Sequence, residues 1–256
     1  MIFCFSGTGN SLHVAESIAA KTGDSIIMMT QAELQQQKEY QIEKDEYLGF
    51  IFPIYWWGVP VQVEQFVKQM KLTYMHLTYT YAVCTYGLAG NNGLLDLQKY
   101  LKEKEIYLDA TYEVKMVDNY IVGYELAKKE KQKAILQAAE KQIQKIVTGI
   151  NQKNQEQIKD TIGLIKPIVH SCYQNKDHRK GFFVTEDCIG CGKCQRECPS
   201  GAIHMKDSKP TWKYNCSFCM KCIHSCPVQA VQYGKTQGRT RYLYQSINIS
   251  KESFPI

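Results

Sequence analysis

MIFCFSGTGNSLHVAESIAAKTG (residues 1–23) changes character twice. Ile2 to Phe5 is a short apolar run suited to a buried strand, and Val14, Ala15, Ile18 and Ala19 recur at helical spacing. Between them lies SGTGNS, Ser6 to Ser11, small and polar throughout. A strand that enters a helix through such a loop brings backbone N–H groups and the positive end of the helix to one point, and that point favours a phosphate. The same alternation continues outward. It predicts strands at 1–5, 24–29, 47–52, 78–85 and 111–117, and helices at 10–22, 60–70, 92–103 and 125–149. The last helix carries an apolar stripe, Ile135, Ala139, Ile143, Ile146 and Ile150, so its lysines read as a solvated face. Strands alternating with helices imply a parallel sheet covered on both sides.

Ligands of such sheets sit at the carboxyl ends of the strands. Three loops are expected to meet there. The first supplies Ser6, Gly7, Thr8, Gly9, Asn10 and Ser11; the second, PIYWWGVP, supplies Pro53, Tyr55, Trp56, Trp57 and Gly58. The third, CTYGLAGNNGLL, supplies Thr85, Tyr86, Gly87, Gly90, Asn91 and Gly93. Taken singly, the glycines are a tight turn and the aromatics belong to a core. On one sheet edge they make a phosphate site beside a slot for a flat ring, which describes a mononucleotide with a tricyclic ring. A dinucleotide fits less well: GTGNSL lacks the third glycine of the dinucleotide fingerprint, and Asp24 precedes the second strand instead of ending it.

Residues 1–150 resemble the flavodoxins, whose phosphate loop Ser6, Thr8, Gly9, Asn10 and Ser11 match. The resemblance implies an α/β fold, a flavodoxin-like doubly wound parallel sheet of strand order 2-1-3-4-5. It also implies FMN as cofactor, with Trp56 or Trp57 and Tyr86 near the isoalloxazine. The chain departs from ordinary flavodoxins in its basic balance and in lacking an acidic third loop.

Eight of the eleven cysteines fall between Cys188 and Cys226. CIGCGKCQRECPSGAI from Cys188 and CSFCMKCIHSCPVQAV from Cys216 are copies of C-x2-C-x2-C-x3-C-P, 28 positions apart. No secretory signal precedes them, which favours a reducing cytoplasm and metal ligation over disulfides. Zinc sites use cysteine pairs and have no need of a third cysteine at the same interval. Three cysteines in seven residues suit three irons of a cubane. The fourth iron then needs a thiolate from elsewhere. Residues 181–234 resemble bacterial two-cluster ferredoxins, in which that ligand comes from the other copy. The resemblance assigns Cys188, Cys191, Cys194 and Cys226 to one [4Fe-4S] cluster, and Cys216, Cys219, Cys222 and Cys198 to the second. Ile189, Ile203, Ile223, Val228 and Val231 are expected to pack on the clusters, and His224 to lie at the surface.

The chain has a formal net charge of +6, concentrated at residues 176–256 with thirteen bases against six acids. Cluster–thiolate sets are anionic and offset much of that surplus, so a nucleic-acid role recedes. No run of eighteen apolar residues predicts a membrane span. Cys4, Cys84 and Cys172 need no special chemistry, and the scattered histidines form no catalytic constellation. The chemistry therefore resides in cofactors.

The expected organisation is 1–150 for the flavin domain, 151–180 for a connecting helix and linker ending in a hinge, 181–235 for a small α+β ferredoxin-like domain, and 236–256 for a tail without assigned role. As a whole the chain resembles the fused flavodoxin–ferredoxin proteins of anaerobic bacteria and archaea (EFR-type ferredoxins). That resemblance implies an electron carrier relaying between two [4Fe-4S] clusters and FMN, with ferredoxins or flavoprotein oxidoreductases as partners. Two alternatives stand beside it: a flavin-dependent reductase of a small molecule, and a ferredoxin with a flavin-free docking domain. The oligomeric state is left open.

Overall fold

β1 (Ile2–Cys4) runs into α1 (Asn10–Thr22), and β2 (Ile26–Met28) returns beside it in the computed structural model, which describes residues 1–37, 39–88, 92–157 and 166–244. α2 (Gln31–Gln36), β3 (Glu39–Gln41), β4 (Leu48–Pro53), α3 (Val61–Gln69) and β5 (Lys71–Thr73) follow. β6 (Thr80–Tyr86), α4 (Asn92–Lys102), β7 (Ala110–Lys115) and α5 (Lys129–Asn151) complete the first module. The main sheet has the order β2-β1-β4-β6-β7, every pairing parallel, which is 2-1-3-4-5 when its own strands are counted.

Strands buried on both faces need apolar residues at every position. β1 shows this directly. Ile2 and Cys4 join the core beneath α1 and α5, with Val14, Ile18, Ala139 and Ile143. Phe3 and Phe5 point the other way, into the core with Val63 and Phe66 of α3 and Leu97 of α4. Phe3 stacks on Phe50 with ring centroids 5.6 Å apart.

Two differences from the expected elements arise here. α2, β3 and β5 were not foreseen. Thr30 caps α2 by accepting the Glu33 N–H at 3.1 Å, and β3 and β5 pair over three residues each, too short for alternation to show. The other difference is the start of α5 at Lys129, which leaves 116–128 as a loop at the sheet's carboxyl edge. Among the described residues no helix is long and apolar enough to cross a membrane.

α6 (Lys166–Asn175) begins in the expected connecting helix and, with a 3-10 turn at His178–Gly181, runs on through the stretch expected to hinge. Two side chains anchor that stretch instead. Tyr173 is 1% and His178 5% exposed, and the Tyr173 hydroxyl donates to the Ser217 carbonyl at 2.8 Å. β8 (Phe182–Val184), α7 (Lys193–Arg196), β9 (Ile203–Lys206), β10 (Lys209–Trp212), α8 (Lys221–Ser225) and β11 (Val231–Tyr233) form the second module. β8 pairs antiparallel with β11, and β9 with β10, so each half of the cysteine repeat lends a strand to the other.

The repeat extends to backbone conformation. Left-handed residues recur at Gly190 and Phe218, at Gly192 and Met220, and at Gly201 and Gln229, each pair one repeat apart. Glycine adopts this region freely, whereas an L side chain resists it by about 1–2 kcal/mol. The second half holds Phe218, Met220 and Gln229 there all the same, the first two in the curl between successive cysteines and the third in the turn after Pro227.

The modules share a core. Ile121 and Tyr173 are buried with Cys194, Phe218, Met220 and Ile223, and Tyr55 and Trp56 pack against the same cluster. The tail also returns to the first module, where Tyr242 is 2% exposed among residues of α1 and α5.

Candidate functional site

The loops leaving the carboxyl ends of β1, β4, β6 and β7 close round a cavity of about 410 Å³. Such an edge is where opposite-running connections of a doubly wound sheet part and leave room for a ligand. Ser6, Gly7, Thr8, Asn10 and Ser11 line it from the first loop, and Pro53, Tyr55, Trp56 and Trp57 from the second. Thr85, Tyr86 and Gly87 line it from the third. Gly90 and Asn91 lie outside the described residues. Three of the expected glycines stand elsewhere. Gly9 abuts Tyr244, the side-chain space of Gly58 is filled by the His170 ring, and that of Gly93 by Ile54.

α1 is capped by Gly9 at φ 101°, with no side chain accepting from its first turn. Those N–H groups are left for a ligand or for water. The hydroxyls of Ser11 and Thr85 lie 2.8 Å apart, and Thr8 Oγ1 accepts from the Asn119 side-chain amide. Asn10 fastens the loop: its Nδ2 donates to the Val117 carbonyl at 2.9 Å, and its Oδ1 accepts from the Tyr242 hydroxyl at 2.6 Å. No Lys or Arg is among the described lining residues. An anion here would be held by neutral donors and the helix end, which suits one phosphate.

The second loop is a two-residue hairpin turn. Tyr55 and Gly58 exchange backbone hydrogen bonds of 3.0 Å, and Trp56 and Trp57 between them have φ of 49° and 60°. Asn-Gly is the usual occupant of such a turn. Two tryptophans in the left-handed region store about 1–2 kcal/mol each, and backbone strain of this kind gathers at binding sites. Trp56 meets Tyr120 edge-on at 5.8 Å. Burial, with smaller contributions from nearby acidic groups, pushes the Tyr86, Tyr120 and Tyr124 hydroxyls above their ordinary range, so the wall presents neutral phenols.

The fourth loop escaped the sequence reading. Val117, Asp118, Asn119, Tyr120 and Tyr124 line the cavity from the β7–α5 connection. Asp118 accepts the Tyr120 N–H at 2.9 Å, and a Cβ on Gly87 would lie 2.3 Å from its other oxygen. Gly87 therefore makes room for that carboxylate. The remaining side of the cavity comes from Val169 of α6 and from Phe218, Cys219 and Met220 of the second cysteine motif. A Cβ on Gly7 would lie 2.7 Å from the Cys219 carbonyl oxygen, so the first loop and the cysteine repeat touch backbone to side-chain position.

The thiols fall into two electrostatic sets. Burial pushes Cys216 up to about 12 and Cys219 up to about 11, and Cys198 adds to both. Cys222 is raised by burial and then by Cys219, Cys216 and Cys198. Cys194 is raised by burial, with Cys226 and Cys191 adding. Crowded thiols in a low dielectric become thiolates only round a cationic core, which iron supplies. The fourth cysteine of each copy also accepts a backbone hydrogen bond, Ala202 N–H to Cys198 at 3.3 Å and Ala230 N–H to Cys226 at 3.2 Å. Such bonds tune cluster potential. Among the described residues no three His, Cys, Asp or Glu side chains are gathered to hold a single metal ion.

Two expectations about this module need correction. His224 is 4% exposed, not a surface residue, because its ring is enclosed between the fourth loop and the tail. Ile203, Ile223 and Val231 are buried as expected, but Ile189 is 66% and Val228 36% exposed, turned outward beside Cys188 and Pro227. Cys191 is exposed as well, so the first set of thiols has an open edge.

Comparison with known families gives a flavodoxin domain over residues 1–147 and a 4Fe-4S dicluster domain over residues 187–238. No curated protein matches the chain. Among solved structures, a putative flavoprotein from Bacteroides uniformis is 15% identical, covering 54% of this chain and 94% of its own, at a TM-score of 0.32. The Trp repressor binding protein from Bacillus subtilis is 12% identical, covering 62% and 100%, at 0.36. Oxidised flavodoxin 1 from Bacillus cereus is 17% identical, covering 59% and 95%, at 0.34. The two domain matches imply electron transfer, and the dicluster match implies two 4Fe-4S clusters.

Proposed function

Because this chain belongs to the flavodoxin domain family and carries a 4Fe-4S dicluster domain behind it, we propose that it relays electrons between two [4Fe-4S] clusters and an FMN bound in the cavity described above. One observation carries the reading: Cys219, a ligand of the second cluster in this scheme, is itself part of the cavity wall and touches the phosphate loop at Gly7. The cluster on Cys198, Cys216, Cys219 and Cys222 is then proximal to the flavin. The cluster on Cys188, Cys191, Cys194 and Cys226 is distal, and exposed Ile189 and Cys191 mark where a redox protein partner would meet it.

Bound FMN supplies the ability to hold two electrons and release them singly, which joins one-electron and two-electron partners. The protein's own residues do the rest. Ser6 to Ser11 and the open end of α1 hold the phosphate, Trp57 and Tyr86 flank the ring, and Phe218 and Met220 keep water from the side facing the cluster. Anaerobic purification followed by iron, sulfide and flavin counts tests this. About eight irons and one FMN per chain are expected. Zinc without flavin would overturn it.

The strained turn gives a second test, which separates stability from affinity. Trp57→Gly removes left-handed strain of about 1–2 kcal/mol together with the contacts of a half-buried indole, so the Tm of the flavin-free, cluster-loaded protein should move by no more than about 4 °C. The same change should weaken FMN binding by about tenfold or more through lost stacking. Thermal melts and a flavin titration read the two effects. Loss of stability together with unchanged affinity would assign Trp57 to packing alone.

A further inference from the structure

His224 lies on α8 between Cys222 and Cys226, and its two ring nitrogens have different partners. The Tyr242 backbone N–H approaches Nδ1 at 3.1 Å, so Nδ1 is the acceptor. Nε2 carries the proton and donates to the Asn119 carbonyl at 2.9 Å. Both partners lead to the phosphate loop. The Asn119 side chain donates to Thr8 Oγ1. On the other branch, the Tyr242 hydroxyl donates to Asn10 Oδ1 at 2.6 Å, and the Tyr244 N–H donates to the Thr8 carbonyl at 2.9 Å.

One buried imidazole thus joins the second cysteine repeat to the fourth cavity loop and the tail, and those two segments converge on Thr8 and Asn10. A loop held this way is ordered before its ligand arrives, so binding loses less conformational freedom. Without the ring, the buried Tyr242 N–H would be left unpaired and the Asn119 carbonyl would keep only the Ile121 N–H at 2.8 Å, so the two segments that hold the loop would lose their common anchor.

We propose that His224 is a positioning residue of the cofactor cavity, coupling the seating of the second cysteine repeat to the affinity of the phosphate loop for FMN. The inference rests on the flavin reading given above. Coupling is reciprocal: whatever factor the seated repeat gives to FMN affinity, bound FMN gives back to the seating of the repeat.

The test titrates FMN into flavin-depleted, cluster-loaded protein and follows quenching of flavin fluorescence, with iron content and cluster absorbance measured on the same samples. His224→Ala is expected to bind FMN about tenfold more weakly, about 1.4 kcal/mol, with full iron. His224→Gln offers an amide acceptor and donor and should recover most of the affinity, which a generic packing defect would not allow. Tyr242→Phe, away from the cysteines, should bind about threefold more weakly, consistent with one lost hydrogen bond. Wild-type affinity in iron-replete His224→Ala overturns the coupling. If that variant loses iron, wild-type affinity in Tyr242→Phe overturns it instead. A wild-type protein that takes up no FMN overturns the flavin reading itself and the coupling with it, a result distinct from either variant outcome.

Discussion

Replacing Cys198 by alanine is expected to remove iron from the second cysteine motif, although Cys198 stands in the first. Its thiol acts on Cys216, Cys219 and Cys222, whereas Cys194 feels Cys226 from the opposite copy. The strands are exchanged in the same sense, β8 with β11 and β10 with β9, so each fourth cysteine is delivered across the pseudo-twofold. Iron should fall by about half, from about eight to about four per chain. The surviving cluster is the distal one, and flavin reduction by an external low-potential donor should drop to background because the cluster beside the cavity is gone. Cys226→Ala should also halve the iron, yet leave the proximal cluster beside Cys219 and retain its passage to the flavin. Iron analysis with low-temperature EPR of the reduced proteins separates the two. If Cys198→Ala loses the cluster of Cys188, Cys191 and Cys194 instead, ligation is not crossed and the proximal assignment fails.

What could be read in the sequence follows from the length scale of each signal. β1, β4 and β6 are apolar on both faces and α1 and α5 are long enough to show a stripe, so the parallel sheet was legible. The cysteine repeat was legible because ligand spacing is a local property. The fourth cavity loop was not. Val117 to Tyr124 holds a single glycine, Gly123, and no phosphate-loop pattern, and its place on the cavity depends on where β7 ends and on the late start of α5. His224 was misread for a related reason. Its neighbours in sequence are one short helix flanked by cysteines, too brief to show a buried face, while its partners Asn119 and Tyr242 lie 105 and 18 residues away. Tyr242 sits in a polar tail, and only the fold carries it to Asn10, 232 positions back. Gly7 gave half its meaning: smallness suited a phosphate loop, but contact with Cys219 belongs to the docking of one module on the other.

That contact carries the second large effect. Gly7→Ala is expected to part the two modules at the cavity while leaving each fold and its iron intact. Gly7 is not among the residues with positive φ, so its backbone accepts an alanine and the obstacle is purely spatial. The new Cβ would stand 2.7 Å from the Cys219 carbonyl, 2.9 Å from the Tyr55 hydroxyl and 3.2 Å from the Cys219 Cβ. Neither side yields cheaply. The loop is fixed by Thr8, Asn10 and the end of β1, and Cys219 is fixed by its place in the thiol set. Overpacking of this kind costs about 1–3 kcal/mol, enough to shift a docked arrangement toward an undocked one by roughly fivefold to a hundredfold. Cluster absorbance and iron should be unchanged, whereas flavin reduction through the clusters should slow and the segment between the modules should become open to protease. Gly9→Ala supplies the contrast. At φ 101° it is strained in any surroundings, and its Cβ would meet Tyr244 at 2.9 Å, so it should weaken flavin binding while the contact at Cys219 persists. Equal transfer rates in Gly7→Ala and wild-type protein would mean that Cys219 does not abut the phosphate loop in solution, and the short path from cluster to flavin would have to be abandoned.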